Sequence, residues 1–199
     1  MRTDDPPSEL AEEYAAKART EYEENGAIAP MVSLLSDAQQ VIVIPKGTDD
    51  VPLAFGSVVL VMAAAMAPHT VITVSEGWMK RYNVTDFDGK PSLRRGQLGE
   101  MAAAGDASVH TALMTHVWRL DPAEQEAVID LVADTKGVYE RTVDRGGMEG
   151  NLADNVMGGW KRALGAPVVT DRVEAIKVAC KVLGEFGLIS SVLVASDAE

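Results

Sequence analysis

The sequence predicts an α+β fold with about four mainly antiparallel strands, helices packed on one face of the sheet, and a helical C-terminal half. Three observations carry that expectation. Met31-Val-Ser-Leu-Leu35 and Val41-Ile-Val-Ile44 are β-type runs separated by the short polar stretch Ser36–Gln40, the pattern of a hairpin. The 25 residues from Val51 to Ser75 contain no Asp, Glu, Lys or Arg, and at Pro68 their composition changes from alanine- and methionine-rich to β-branched. Val109 to Arg119 alternates with a two-residue period, as a strand with two different faces does. Residues 1–120 therefore read as an α+β core, and residues 121–199 as a mainly helical extension packed on the same core, with a terminal strand.

In chain order, Asp5 is the expected N-cap of a first helix, with Pro6 at the first helical position and Asn25-Gly26 as the stop. Leu10, Tyr14, Ala18 and Tyr22 form a thin apolar stripe on that helix. After the hairpin, Pro45–Asp50 reads as a loop; it lacks the glycine spacing of a phosphate loop, and Asp49-Asp50 oppose an anion. Pro52 to Ala67 is the most apolar helix. Its roughly 16 residues reach roughly 24 Å at 1.5 Å per residue, short of a hydrocarbon core of roughly 30 Å, so a buried core helix is expected ahead of a membrane anchor through 51–67.

Thr70 to Met79 reads as a strand, with Ile72, Val74, Glu76 and Trp78 on one face. Asn83 to Ala107 is too long and polar for an ordinary hairpin loop and reads as either a mobile flap or a functional loop, with a helical turn or two at Leu98–Ala104. The strand Val109–Arg119 is expected to pair antiparallel with Val71–Met79, bringing Trp78 and Trp118 together across the pair. Asp121-Pro122 looks like a cap and first turn, and Ala127, Val128, Leu131 and Val132 have helical spacing. Val138–Asp144 is ambiguous. Leu152, Val156, Trp160 and Ala163-Leu164 mark an amphipathic helix, Thr170 caps a last one, and Leu188–Val194 reads as a strand.

Composition narrows the function classes. The net charge is −12, which repels phosphate backbones and excludes nucleic acid as the expected partner. The one basic cluster, Lys80-Arg81 with Lys90, Arg94 and Arg95, reads as a solvated loop. Cys180 is the only cysteine, so no internal disulfide forms, and the polar N-terminus does not resemble a signal peptide; a cytoplasmic protein is expected. Eight lysines against ten arginines, with abundant alanine, valine, glycine and aspartate, point to a GC-rich source such as an actinobacterium or its phage.

The segment Ser75-Glu76-Gly77-Trp78-Met79, followed by a polar loop and the strand Val109–Arg119, resembles a set of small bacterial and phage proteins that share a Ser/Ala-Glu-x-Trp-Met strand. The likeness covers residues 40–120 and implies a hairpin, a helix and two strands. It implies no activity.

No nucleophile elbow, zinc-protease, Cys-x-x-Cys or cysteine–histidine pattern is present. The catalytic candidates are Glu76, which interrupts an apolar strand face, and His110 and His116, which share a strand face. Six strand residues separate the histidines by roughly 20 Å, too far for one metal, so neither a metal nor a cofactor is expected. Glu76 is expected to pair with Arg119 or Lys80, or to anchor the 83–107 loop. Asp49, Asp50, Asp86 and Asp88 lack the spacing of a calcium loop. The leading expectation is a soluble accessory protein that binds a protein partner or assembles with itself, the first helix and Leu152–Leu164 being the contact candidates. The alternative is a small-ligand-binding protein or hydrolase-like enzyme with a site under the 83–107 loop.

Overall fold

The computed structural model describes residues 5–37, 39–45, 51–80, 97–133, 137–146, 151–167, 170–185 and 188–194, with backbone alone at 45 and 188–194. Its centre is a seven-stranded sheet. The strands are β1 (Met31–Leu35), β2 (Gln39–Pro45), β3 (Thr70–Lys80), β4 (Val109–Trp118), β5 (Glu126–Val132), β6 (Tyr139–Arg145) and β7 (Leu188–Val194). They lie in the order β6-β5-β4-β3-β1-β2-β7, every neighbouring pair antiparallel. Among the described residues five α-helices accompany them: α1 (Pro7–Asn25), α2 (Val51–Met66), α3 (Gln97–Ala103), α4 (Asn151–Leu164) and α5 (Arg172–Glu185).

The α+β class stands, while its finer form changes in three ways. The sheet has seven strands instead of about four, helices cover both faces, and the C-terminal half supplies β5, β6 and β7. On one face α2, α4 and α5 pack against Val32, Leu34, Val41, Val43, Val71 and Trp118. On the other, α1 lays Leu10, Tyr14 and Ala18 against Ile72, Val74, Leu113, Val117 and Val128. Double-sided burial explains why Val71 to Val74 reads as a run of β-formers without polar alternation: Val71 enters one core and Ile72 and Val74 the other, and Thr73 is buried as well.

The apolar segment after residue 50 is a core helix. Phe55, Val58, Val59 and Met62 of α2 are fully buried between the sheet and α4. No helix among the described residues is long and apolar enough to cross a membrane. The α2 and α4 backbones touch where both carry glycine: a Cβ on Gly159 would lie 2.4 Å from the Gly56 carbonyl oxygen, and one on Gly56 would lie 2.7 Å from the Asn155 carbonyl oxygen. The stripes on α1 and α4 that read as contact candidates are both interior, Val156 and Trp160 packing in the α2 core.

Several helix ends move by a residue. The N-cap of α1 is Pro6, with no side-chain capping bond, so Asp5 does not cap it; its carbonyl instead accepts from Arg119 Nη2 at 3.0 Å. Gly26 stops α1 as expected, with φ 73° in the left-handed region. Asp171, not Thr170, caps α5, its carboxylate accepting from the Glu174 N–H at 3.0 Å. Asp121 does cap a turn, accepting from Ala123 N at 2.9 Å, but the turn is a single 3-10 one over Pro122–Glu124. The helix expected after it is β5.

Candidate functional site

The centre of the sheet holds the three candidates, and its register separates them. β3 and β4 pair Thr73 with His116, Glu76 with Leu113, and Met79 with His110. Side chains alternate, so Glu76 follows Ile72 and Val74 onto the α1 face, while His110 and His116 stand with Trp118 on the opposite face. Glu76 and the histidines do not form one site.

Glu76 is exposed, and its Oε2 accepts the Ile28 N–H at 3.2 Å. It ties the segment between α1 and β1 down to β3. Arg119, one of its expected partners, is committed elsewhere: it donates to Thr70 Oγ1 at 3.2 Å and pairs with Glu124 at 3.6 Å. The loop Glu76 was to anchor lies, over 83–96, outside the described residues, as do Asp49, Asp50, Asp86 and Asp88 and the basic residues Arg81, Lys90, Arg94 and Arg95. The helical turn expected at its end is α3.

His116 is the group with unusual chemistry. Its ring stacks on Trp118, with centroids 5.3 Å apart and planes 16° apart. Burial holds its pKa down at about 4, against the pull of the Asp144 carboxylate, and its Nδ1 is buried with no hydrogen-bond partner among the described residues. Such an imidazole is neutral at pH 7 and a weak base there. The expected Trp78–Trp118 stack does not form. Trp118 lies opposite Val71 and donates from Nε1 to Thr73 Oγ1 at 2.9 Å, whereas Trp78 lies opposite Thr111 on the other face, 53% exposed and against Gly99 of α3.

Two features lay outside the sequence reading. The first is Asp130 of β5, 1% exposed, which receives Arg19 Nη1 at 2.7 Å, Arg141 Nε at 2.8 Å and Arg141 Nη2 at 3.1 Å. Arg141 also reaches Glu12. Burial pushes the Asp130 carboxyl up, while the hydrogen bond and charge of Arg19 pull it down. This centre clamps α1, β5 and β6 together. The signal in the sequence was one aspartate inside an apolar run.

The second feature is a groove of about 480 Å³ between α2 and α5, floored by Val61, Ala64 and Ala65 and walled by Ala175, Val178 and Val182. Val178 is 52% exposed. A smaller alanine-lined hollow of about 200 Å³ continues past Ala64 toward the exposed Leu164 of α4. Among the described residues no group of three His, Cys, Asp or Glu side chains can hold a metal ion. No protein-family model, curated protein or solved structure matches the chain.

Proposed function

We propose that the chain is a soluble cytoplasmic accessory protein that acts by binding protein, either a partner or a further copy of itself, through the face built from α2, α4 and α5. The apolar groove between α2 and α5 carries the reading. In a chain of net charge −12 it is a mainly apolar strip whose polar groups, Thr170 and the carboxylates Asp171 and Glu174, gather at the start of α5. Apolar grooves between helices accept apolar side chains from a partner, while a small-ligand site needs polar groups converging on the ligand. The α1 and α4 stripes, being interior, leave this face as the contact surface.

A small-ligand or enzymatic reading rests on one observation, the unpartnered Nδ1 of His116. Native mass spectrometry of the chain isolated from cells that make it separates the two. The expected result is a protein held at the groove, a partner or a further copy, that Val178→Asp removes while leaving the thermal midpoint within a few degrees. A stoichiometric small-molecule adduct, abolished by His116→Phe and retained by Val178→Asp, would overturn the binding reading in favour of the ligand site.

A further inference from the structure

The sheet ends in two edges of different character. The β6 edge, Tyr139-Glu-Arg-Thr-Val-Asp-Arg145, carries four charged residues in seven. Charged side chains on an edge strand are the usual protection against pairing with another chain. The β7 edge, Leu188-Ile-Ser-Ser-Val-Leu-Val194, has no charge, no proline and no glycine, and among the described residues β7 pairs only with β2. Its outer row of backbone N–H and C=O groups is a template for one more strand.

We propose that the occupant is β7 of a second copy, the two strands pairing antiparallel about a two-fold axis perpendicular to the sheet and doubling it. This goes beyond the binding reading above: it names a second copy as a partner at the β7 edge, a surface separate from the α2–α5 groove, so Val178→Asp should leave this dimer intact. Three observations favour a second copy. The strand is self-complementary: centred on Ser191, an antiparallel pair sets Leu188 opposite Val194 and Ile189 opposite Leu193, apolar against apolar. Local charge permits the approach: residues 171–194, α5 with its cap and β7, carry Arg172, Lys177 and Lys181 against Asp171, Glu174 and Glu185, 3 − 3 = 0, whereas α1 carries six glutamates against Lys17 and Arg19, 2 − 6 = −4. Two copies meeting at β7 keep their acidic α1 helices apart.

Symmetry supplies the third. An axis perpendicular to the sheet leaves both α5 helices on the same face, side by side. Val178 and Val182 face the α2 groove, so by helical spacing Val173 and Lys177 lie on the flank away from it. Val173 is 55% exposed there, an apolar residue available to its symmetry mate.

The test is sedimentation over a wide concentration range with wild type and two variants at Ser191, which stands at the register position opposite Ile42. Wild type is expected to dimerise. Ser191→Lys sets two like charges against each other on the axis and should weaken the dimer about tenfold or more, which is about 1.4 kcal/mol. Ser191→Cys, in a Cys180→Ser background, should give a covalent dimer on mild oxidation, because directly opposed Cα atoms of antiparallel strands lie about 4.5–5.5 Å apart, within disulfide reach. The cross-link keeps the proposal testable if the lysine variant fails to fold. A wild-type dimer unaffected by Ser191→Lys and not cross-linked through Ser191→Cys would overturn the edge pairing and leave self-assembly through another surface. A monomer at all concentrations that captures a different protein in a Val178-dependent way would overturn the proposal while the binding reading stands. A monomer that captures nothing would end both.

Discussion

Two side chains carry most of the electrostatic consequence: Asp130, buried in the sheet, and His116, half-buried in it. Asp130 sits between two guanidinium groups, and Asp130→Ala leaves both with only the exposed Glu12 carboxylate as counter-ion. Breaking a buried ion pair from one side costs about 3–5 kcal/mol; because Arg19 and Arg141 keep 21% and 31% side-chain exposure, the lower figure is expected here. Urea unfolding should show it as a lower midpoint with an unchanged slope. His116 acts through pH. Its folded value of about 4 lies below 6.5, so between those values the unfolded chain takes up a proton that the folded chain refuses. The folded state therefore loses stability as pH falls from 6.5 to about 4, by up to about 3 kcal/mol, and no further below that. His116→Phe keeps an aromatic ring against Trp118 and removes the titration. The difference in midpoint between variant and wild type should grow in the variant's favour from pH 7 to pH 4, other titrating groups cancelling in the comparison; a flat difference would show that His116 stays accessible to protons.

At the scale of elements, the closest contact is the crossing of α2 and α4 at Gly56 and Gly159. Either glycine replaced by alanine drives a methyl group into backbone that cannot rotate away. The gain in helix propensity is about 1 kcal/mol, and overpacking costs about 1–3 kcal/mol or more, so both substitutions are expected to be net destabilising. Gly159→Ala should cost more than Gly56→Ala, its approach being 2.4 Å against 2.7 Å, and Gly158→Ala, with nothing within 4 Å, should be neutral or stabilising. Thermal unfolding of the three variants checks that order. Most elements were legible in the sequence because one face of each was apolar: the hairpin, α2, β3 paired with β4, α4 and β7 lie close to where composition put them. β5 was not. Ala127 and Leu131 lie under one face of the sheet and Val128 under the other, while Asp130 is buried by its arginines, so the run lost the alternation that marks a strand and kept a helix-like spacing. The separation of the site candidates was illegible for a related reason. Glu76 and His116 sit on adjacent strands, and only the register, which local sequence does not fix, sends one to the α1 face and the other to the opposite face.

The whole molecule balances a net charge of −12 against a few ion pairs that join separate elements. Self-repulsion at that charge favours expansion, and salt screens it. The pairs respond unequally. Arg145–Glu126, with the arginine side chain 74% exposed, is of the kind that contributes little at any salt, whereas the Asp130 cluster is sheltered from counterions. Raising sodium chloride should therefore stabilise the fold, by about 1 kcal/mol or roughly 2–4 °C for a chain of this size, instead of weakening it as a surface held by exposed pairs would. The cost of Asp130→Ala should be nearly independent of salt over the same range. If salt lowers the midpoint, exposed pairs outweigh the repulsion; if the cost of Asp130→Ala falls with salt, the cluster is wetter than its burial indicates. The same screening acts between copies. Salt should strengthen association of wild type by reducing repulsion between two −12 bodies, and it should restore part of the dimer lost in Ser191→Lys, because opposed lysines at a sheet edge are themselves a screened repulsion. Association that weakens with salt would mean that oppositely charged surfaces, and not the uncharged β7 edge, bring the copies together.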